Sequence, residues 1–285
     1  MFILPITNFN SVNNKPRIAF LGDQFSYHHL AGIAFFGADH DFIGTETFGS
    51  IINNVVSGDC NFGIIAVENT LAGDVPGNFE LLVNSSLEIY GEITLKIALQ
   101  FAALPGARIT DIKTVYSHKM AIRETTAYFS SYPQFLFIET ASTSSAVKFV
   151  AEQNSNNNAA IGSSTAIKHY HLEVLASGID NSTDNRTRFL IICNKSPNYR
   201  TTNFEVKASL MLQTPEQGFD VNTLEEILQM HRIRFRRPLN NGNVYIETEL
   251  TNKFQINNML QEMEGKGVQT RVLGIYPPGG TVAGL

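Results

Sequence analysis

The sequence has little cysteine, two residues in 285, and it lacks basic runs, long apolar spans and nucleotide-binding loops. Cys60 and Cys193 are too far apart in sequence to suggest a disulfide framework or a zinc spacing, and each lies beside or within an apolar segment, as expected of a buried, inert thiol. No stretch approaches the roughly 20 apolar residues of a membrane helix. The opening Met1 to Pro5 is apolar but lacks the basic and long apolar regions of a secretory signal. Formal net charge is −5 and charged residues make up 16%, which excludes a basic nucleic-acid-binding surface. Gly22, Gly32 and Gly37 do not form a dinucleotide fingerprint, and no Gly-Lys-Ser/Thr loop is present. The seven histidines do not cluster with cysteine or carboxylates. His28 and His29 are adjacent at a helix start and face different directions, one exposed and one packed, so no metal is expected. What remains is a cytoplasmic protein acting on small molecules, without membrane or nucleic-acid partners.

Hydrophobic residues reach 43%, enough for real cores, and the length calls for more than one folding unit. Residues 1 to 16 read as an Asn-rich leader that the fold can do without. From Arg17 onward strand and helix alternate, the pattern of an α/β fold. Arg17 to Gly22 is a buried strand, Ser26 caps a helix to Phe36, and Phe48 to Ser57 is an amphipathic helix. Phe62 to Val67 is a strand that runs into Glu68-Asn69-Thr70. Leu87 to Leu99 is extended around Gly91-Glu92. Strands follow at Thr114 to Tyr116, Gln134 to Thr140, Ala159 to Ile161 and Thr187 to Cys193. Ser117-His118 and Ser142 open helices running to Phe129 and Gln153.

A polar stretch near Asn194 to Asn203 marks a domain boundary. Beyond it the order is β-α-β-β-α-β, the α+β ferredoxin-like arrangement, with a helix over Val221 to Met230 and a hairpin turning at Asn240-Asn241-Gly242. Residues 278–285 read as a loose Gly-rich tail.

Short hydroxyl and amide side chains recur just after successive strands: Ser26, Asn69, Thr70, Ser117, Ser142, Thr143 and Thr187. Each alone is more often a helix cap than a ligand contact. Their recurrence where helices begin and strands end describes a site for a small anion held by neutral donors.

In their order these residues resemble the prephenate dehydratases. Arg17 to Gly22 with Ser26-Tyr27 is similar to that family's opening, and Glu68-Asn69-Thr70 with Gly73 and Val75 to its Glu-Asn-Ser/Thr segment. Gly91-Glu92-Ile93, Ser117-His118, Ser142-Thr143 with Ala146, and Asn185 with Thr187-Arg188-Phe189 complete the series. The resemblance implies a two-lobed catalytic domain over residues 17–195, like the periplasmic ligand-binding proteins, with lobe two at about 95–170. It also implies an ACT regulatory domain over 200–277. The implied reaction is the decarboxylating dehydration of prephenate to phenylpyruvate in phenylalanine biosynthesis, without metal or organic cofactor, in a homodimer or homotetramer.

By resemblance Thr187 is the donor to the leaving hydroxyl, Phe189 packs beneath the ring or is plain core, and Arg188 holds a carboxylate or braces the cleft, with bracing favoured. Asn69 and Ser117 are the next substrate contacts, with Ser26, Thr70, Glu124, Ser142 and Thr143 around them. Several positions depart from the family pattern. Asp23 replaces a proline, His28 a small hydroxyl residue, Lys119-Met120 a Pro-Gln, and Glu124 a glutamine that some members carry. In the regulatory domain the expected effector residues are Gly218, Val221, Arg237 and Pro238, of which only Arg237-Pro238 keeps the family's form. Phenylalanine control and a purely structural, dimer-forming role both stay open, as do arogenate as substrate and an inactive small-anion sensor.

Overall fold

Apolar runs become the central strands of two sheets, and the chain crosses between these sheets twice. The computed structural model describes residues 15–195, 206–213, 226, 229, 233, 235–239, 242–250 and 253–283. The expected leader and the helix over Val221 to Met230 therefore lie largely outside the described residues, as do Gly218 and Val221.

The first lobe contains β1 (Arg17–Leu21), α1 (Tyr27–Phe36), β2 (Asp41–Thr45), α2 (Phe48–Val56), β3 (Phe62–Asn69), β4 (Gly73–Asp74), α3 (Asn78–Val83) and β5 (Glu88–Lys96). The second lobe contains β6 (Gln100–Ala103), β7 (Thr114–His118), α4 (Lys119–Arg123), α5 (Thr126–Phe129), β8 (Leu136–Thr140), α6 (Thr143–Gln153), β9 (Asn158–Gly162), α7 (Ser164–His169) and β10 (Glu173–Ser177). Its sheet, ordered β10-β6-β9-β7-β8, extends to Ser177, past the expected limit near 170, because β10 pairs antiparallel with β6. The expected helix after His118 is two short helices broken at Glu124-Thr125.

β11 (Arg186–Cys193) returns to the first lobe and inserts antiparallel between β3 and β5. Phe62 to Val67 on β3 and Phe189 to Cys193 on β11 are buried without interruption, as central strands covered on both faces are. Strands β12 (Val206–Gln213), β13 (Phe235–Pro238), β14 (Val244–Leu250) and β15 (Gln269–Tyr276), with helix α8 (Lys253–Gly265), form an antiparallel sheet ordered β13-β14-β12-β15. Met211, Tyr245, Leu273 and Tyr276 from this sheet share one core with Ile65, Val67, Ile89 and Leu190 of the first lobe. Gly274 permits that approach, since a Cβ there would meet the Ile89 carbonyl oxygen at 2.3 Å.

The tail is not loose over its described length. β16 (Thr281–Val282) adds to β5 in parallel, and the Gly279 N–H donates to Glu92 Oε1 at 3.1 Å. Cys60 and Cys193 are buried free thiols, and burial pushes the Cys193 thiol up to about 12. Among the described residues no helix is long and apolar enough to cross a membrane.

Candidate active site

Strand alternation decides which predicted residues meet. On β11, Thr187 and Phe189 face the space between the lobes and Arg188 faces away from it. The β11–β3 register pairs Thr187 with Asn69, then slips by one residue between Arg188 and Phe189. A cavity of about 330 Å³ lies between the lobes, lined by Ser26, Asn69, Glu124, Ser142, Thr143, Thr187 and Phe189 among others. Phe189 belongs to the first-lobe core and also closes the cavity floor.

Asn69 is held in one orientation. Its Oδ1 accepts from the Leu71 and Ala72 N–H groups at 2.8 and 2.9 Å. Its Nδ2 then points the other way and donates to Asn185 Oδ1 at 2.9 Å and Thr187 Oγ1 at 3.0 Å. Because the Thr187 oxygen is an acceptor in that bond, its own proton is left to be donated elsewhere. Asn185 is fully buried and gives both amide hydrogens to carboxyls, Glu124 Oε2 at 2.9 Å and Asp180 Oδ1 at 3.0 Å. One chain of hydrogen bonds thus runs from Glu124 in the second lobe to Thr187 in the first.

Two helix N-termini meet at this cleft from opposite lobes. Ser26 caps α1 and Ser142 caps α6, the latter through a reciprocal capping box with Ser145. Gly22 lies between them with φ +86°, and a Cβ there would come 3.1 Å from Ser142 Cβ, so glycine lets the lobes approach. Burial raises the Glu124 carboxyl above its usual range; the Asn185 amide opposes the shift, Asp180 adds to it and Arg123 counters it.

Three predicted residues are not in the cleft. Ser117 is fully buried and donates to the Ile161 carbonyl at 2.8 Å. Thr70 donates to the Asp184 carbonyl at 2.6 Å and accepts from the Arg186 N–H, bracing the crossing strand. Arg188 reaches Glu92 Oε2 and Glu247 Oε1, each at 2.5 Å, and Lys207 bonds both carboxylates at 3.0 and 2.8 Å. Burial pulls the Arg188 guanidinium down, but Glu247 and Glu92 outweigh it and hold it well above its ordinary value. Arg188 therefore ties β11 to the C-terminal sheet and points away from the cleft. Of the expected effector residues, Arg237 pairs with Asp74 and lies 4.7 Å over the Phe79 ring, and Pro238 is exposed.

Tyr27, His28, Phe48 and His118 are among the lining residues that were not singled out from the sequence as site residues. Neither ring of the His28-His29 pair is exposed. His29 stacks on Phe20, and His28 sets its ring edge-on to Phe189 at 5.1 Å. Burial lowers both, His28 to about 3 and His29 to about 4, so both are neutral at pH 7.

A cleft between two α/β lobes, walled by hydroxyls, an amide relay and two helix N-termini, is the candidate site of an enzyme acting on a small molecule. Residues 18–197 match the sequence profile described as prephenate dehydratase. The chain belongs to the prephenate dehydratase family, lyases that remove water and carbon dioxide from their substrate. It is 31% identical over 285 residues to the bifunctional chorismate mutase/prephenate dehydratase of Escherichia coli K12, covering 95% of this chain and 73% of that one. It is 28% identical to the prephenate dehydratase of Lactococcus lactis, covering 91% of this chain and 97% of that one. The crystal structure of the Arthrobacter aurescens prephenate dehydratase in complex with L-Phe superposes with a TM-score of 0.79 at 22% identity, over 92% of this chain and 89% of that one, so the fold is shared.

Proposed function

We propose that this cleft converts prephenate to phenylpyruvate with Thr187 as the hydrogen-bond donor to the departing ring hydroxyl. The observation that carries this reading is the orientation of the Thr187 hydroxyl. Asn69, fixed by two backbone amides, donates to its oxygen, which leaves the hydroxyl proton for the ligand. A donor set before reaction stabilises charge on the leaving oxygen as it develops. The substrate's two carboxylates fit the N-termini of α1 and α6, where Ser26, Ser142 and Thr143 add neutral donors. Phe189 supports the ring, and aromatisation drives the loss of carbon dioxide.

In this reading the two lobes work as a hinged pair like the periplasmic binding proteins, and the C-terminal sheet is an ACT-type domain in a cytoplasmic homodimer or homotetramer. Phenylalanine is its effector. The supporting observations are the strand order β13-β14-β12-β15 and the contact between Arg237 and Asp74, which lines the cleft. Phenylpyruvate formation from prephenate, with arogenate run alongside, tests the reaction. Isothermal titration with phenylalanine tests the effector, and no heat together with no inhibition would remove it. A second reading rests on Glu124: a carboxylate here suits the ammonium of arogenate better than the keto group of prephenate, and turnover of arogenate alone would favour it.

A further inference from the structure

The proposed reaction needs a proton that a threonine does not readily supply. When prephenate loses its ring carboxylate as carbon dioxide, the electrons of that C–C bond enter the ring. The C–O bond then breaks with its electron pair on the hydroxyl. Without a proton the hydroxyl departs as hydroxide; with one it departs as water. An alcohol hydrogen-bonds to that oxygen, but it is too weak an acid to be the proton's source near neutral pH.

We infer that Glu124 is the general acid of this site, holding a proton on Oε1 and delivering it to the departing hydroxyl while Thr187 holds that oxygen in place. This inference rests on the prephenate reading above. Glu124 caps the C-terminal end of α4, lines the cavity and is 8% exposed. Its Oε2 is occupied as an acceptor from Asn185, so the proton belongs on Oε1, the oxygen that the Asn185 amide does not engage. Asn185 cannot turn away, because its other hydrogen is on Asp180 and its oxygen accepts from Asn69. The same relay ends on Thr187, so the acid and the hydroxyl donor are held by one set of hydrogen bonds.

The charges around Glu124 favour the neutral form. No cation forms an ion pair with it among the described residues. Arg123 attracts its charge, Asp180 opposes it, and Tyr27, whose hydroxyl donates to the Ala98 carbonyl, is a neutral phenol. Burial already raises its proton affinity. A dianionic substrate raises it further, so binding loads the acid that the chemistry then consumes. After the step the Glu124 carboxylate takes a proton from solvent, and the net reaction takes up one proton per turnover.

The test is kcat and KM for prephenate from pH 5 to 9, with the uncatalysed rate subtracted, in the unmodified protein, Glu124→Gln and Glu124→Asp. Glutamine keeps the shape and the Asn185 contact but carries no acidic proton. The expected result is a loss in kcat of about 10²-fold or more, typical of a removed general acid, with KM changed much less. The unmodified protein should lose kcat as pH rises through the Glu124 titration, Glu124→Gln should be flat over that range, and Glu124→Asp should recover part of the rate with its pH limb. Thermal unfolding of Glu124→Gln should show Tm unchanged or higher, since a buried ionisable group has been removed. Equal kcat in Glu124→Gln and the unmodified protein overturns the inference and leaves the reaction standing. Faster prephenate turnover in Glu124→Gln, with arogenate turnover lost, overturns it in favour of an ammonium-binding carboxylate. No turnover by the unmodified protein overturns the prephenate reading and this inference together.

Discussion

Glu247→Ala removes one carboxylate from a buried set of two carboxylates and two cations. Arg188 and Lys207 then share Glu92, with only the half-exposed Glu68 3.9 Å from Arg188 besides, leaving positive charge undercompensated where the first lobe meets the C-terminal sheet. The Tyr245 hydroxyl, which reaches Glu247 Oε1 at 2.7 Å, also loses the charged one of its two acceptors and keeps Ser209 Oγ at 2.9 Å. Breaking one side of a buried ion pair costs about 3–5 kcal/mol, most of it from the stranded charge. With a urea dependence of roughly 2 kcal/mol per molar, the midpoint for this unit should fall by about 2 M. The chain has no tryptophan, so tyrosine emission reports the unfolding, with Tyr245 and Tyr276 inside the cluster. Glu247→Gln keeps an acceptor for Tyr245 and should lose less. A loss below about 1 kcal/mol in Glu247→Ala would be the behaviour of an exposed pair and would refute the docking of Arg188 into a dry interface.

Asn69→Ala releases the Thr187 hydroxyl from its fixed orientation, and kcat should fall about 10²-fold with the fold intact by circular dichroism, as for other small misplacements of a reacting group. His28 and His29 have folded pKa values near 3 and 4, below the ordinary 6.5, so their contribution to stability is present above pH 6.5 and declines as pH falls toward those values. At pH 4.5 each should have forfeited about 2–3 kcal/mol, and His29→Gln should flatten the fall of the urea midpoint between pH 6.5 and 4. Gly22→Ala places a Cβ 3.1 Å from Ser142 Cβ on a left-handed backbone, costing about 1–2 kcal/mol; KM for the substrate should rise as the lobes are held apart, and an unchanged KM would count against closure at that contact.

The strands with long apolar runs, β1, β3 and β11, were legible because burial on both faces writes itself as continuous hydrophobicity. β2 was not, because Asp41-Phe42-Ile43-Gly44-Thr45 is short and broken by glycine, and its strand form comes from parallel pairing with β1. β16 was missed for the same reason: its sequence carries no pattern, and β5 supplies the partner. At the site, type and order of residues pointed to the right strand ends, but side-chain direction did not follow from them. Alternation turns Asn69 inward and Thr70 outward, and His118 toward the cleft while Ser117 points into the sheet. The same alternation turns Arg188 away from the cleft, but its partners Glu92 and Glu247 lie far away in sequence, and nothing in the local pattern pairs them. The relay through Asn185 was likewise invisible, since it joins residues 69, 124, 180 and 187.

The proposed reaction depends on the Thr187 hydroxyl, and the direct test is prephenate turnover by the unmodified protein, Thr187→Ser and Thr187→Ala under one set of conditions. A serine that keeps the hydroxyl should retain much of kcat, whereas alanine should lose about 10²–10³-fold, the usual cost of one donor at a developing negative charge. Alanine turning over as fast as threonine would contradict the central claim.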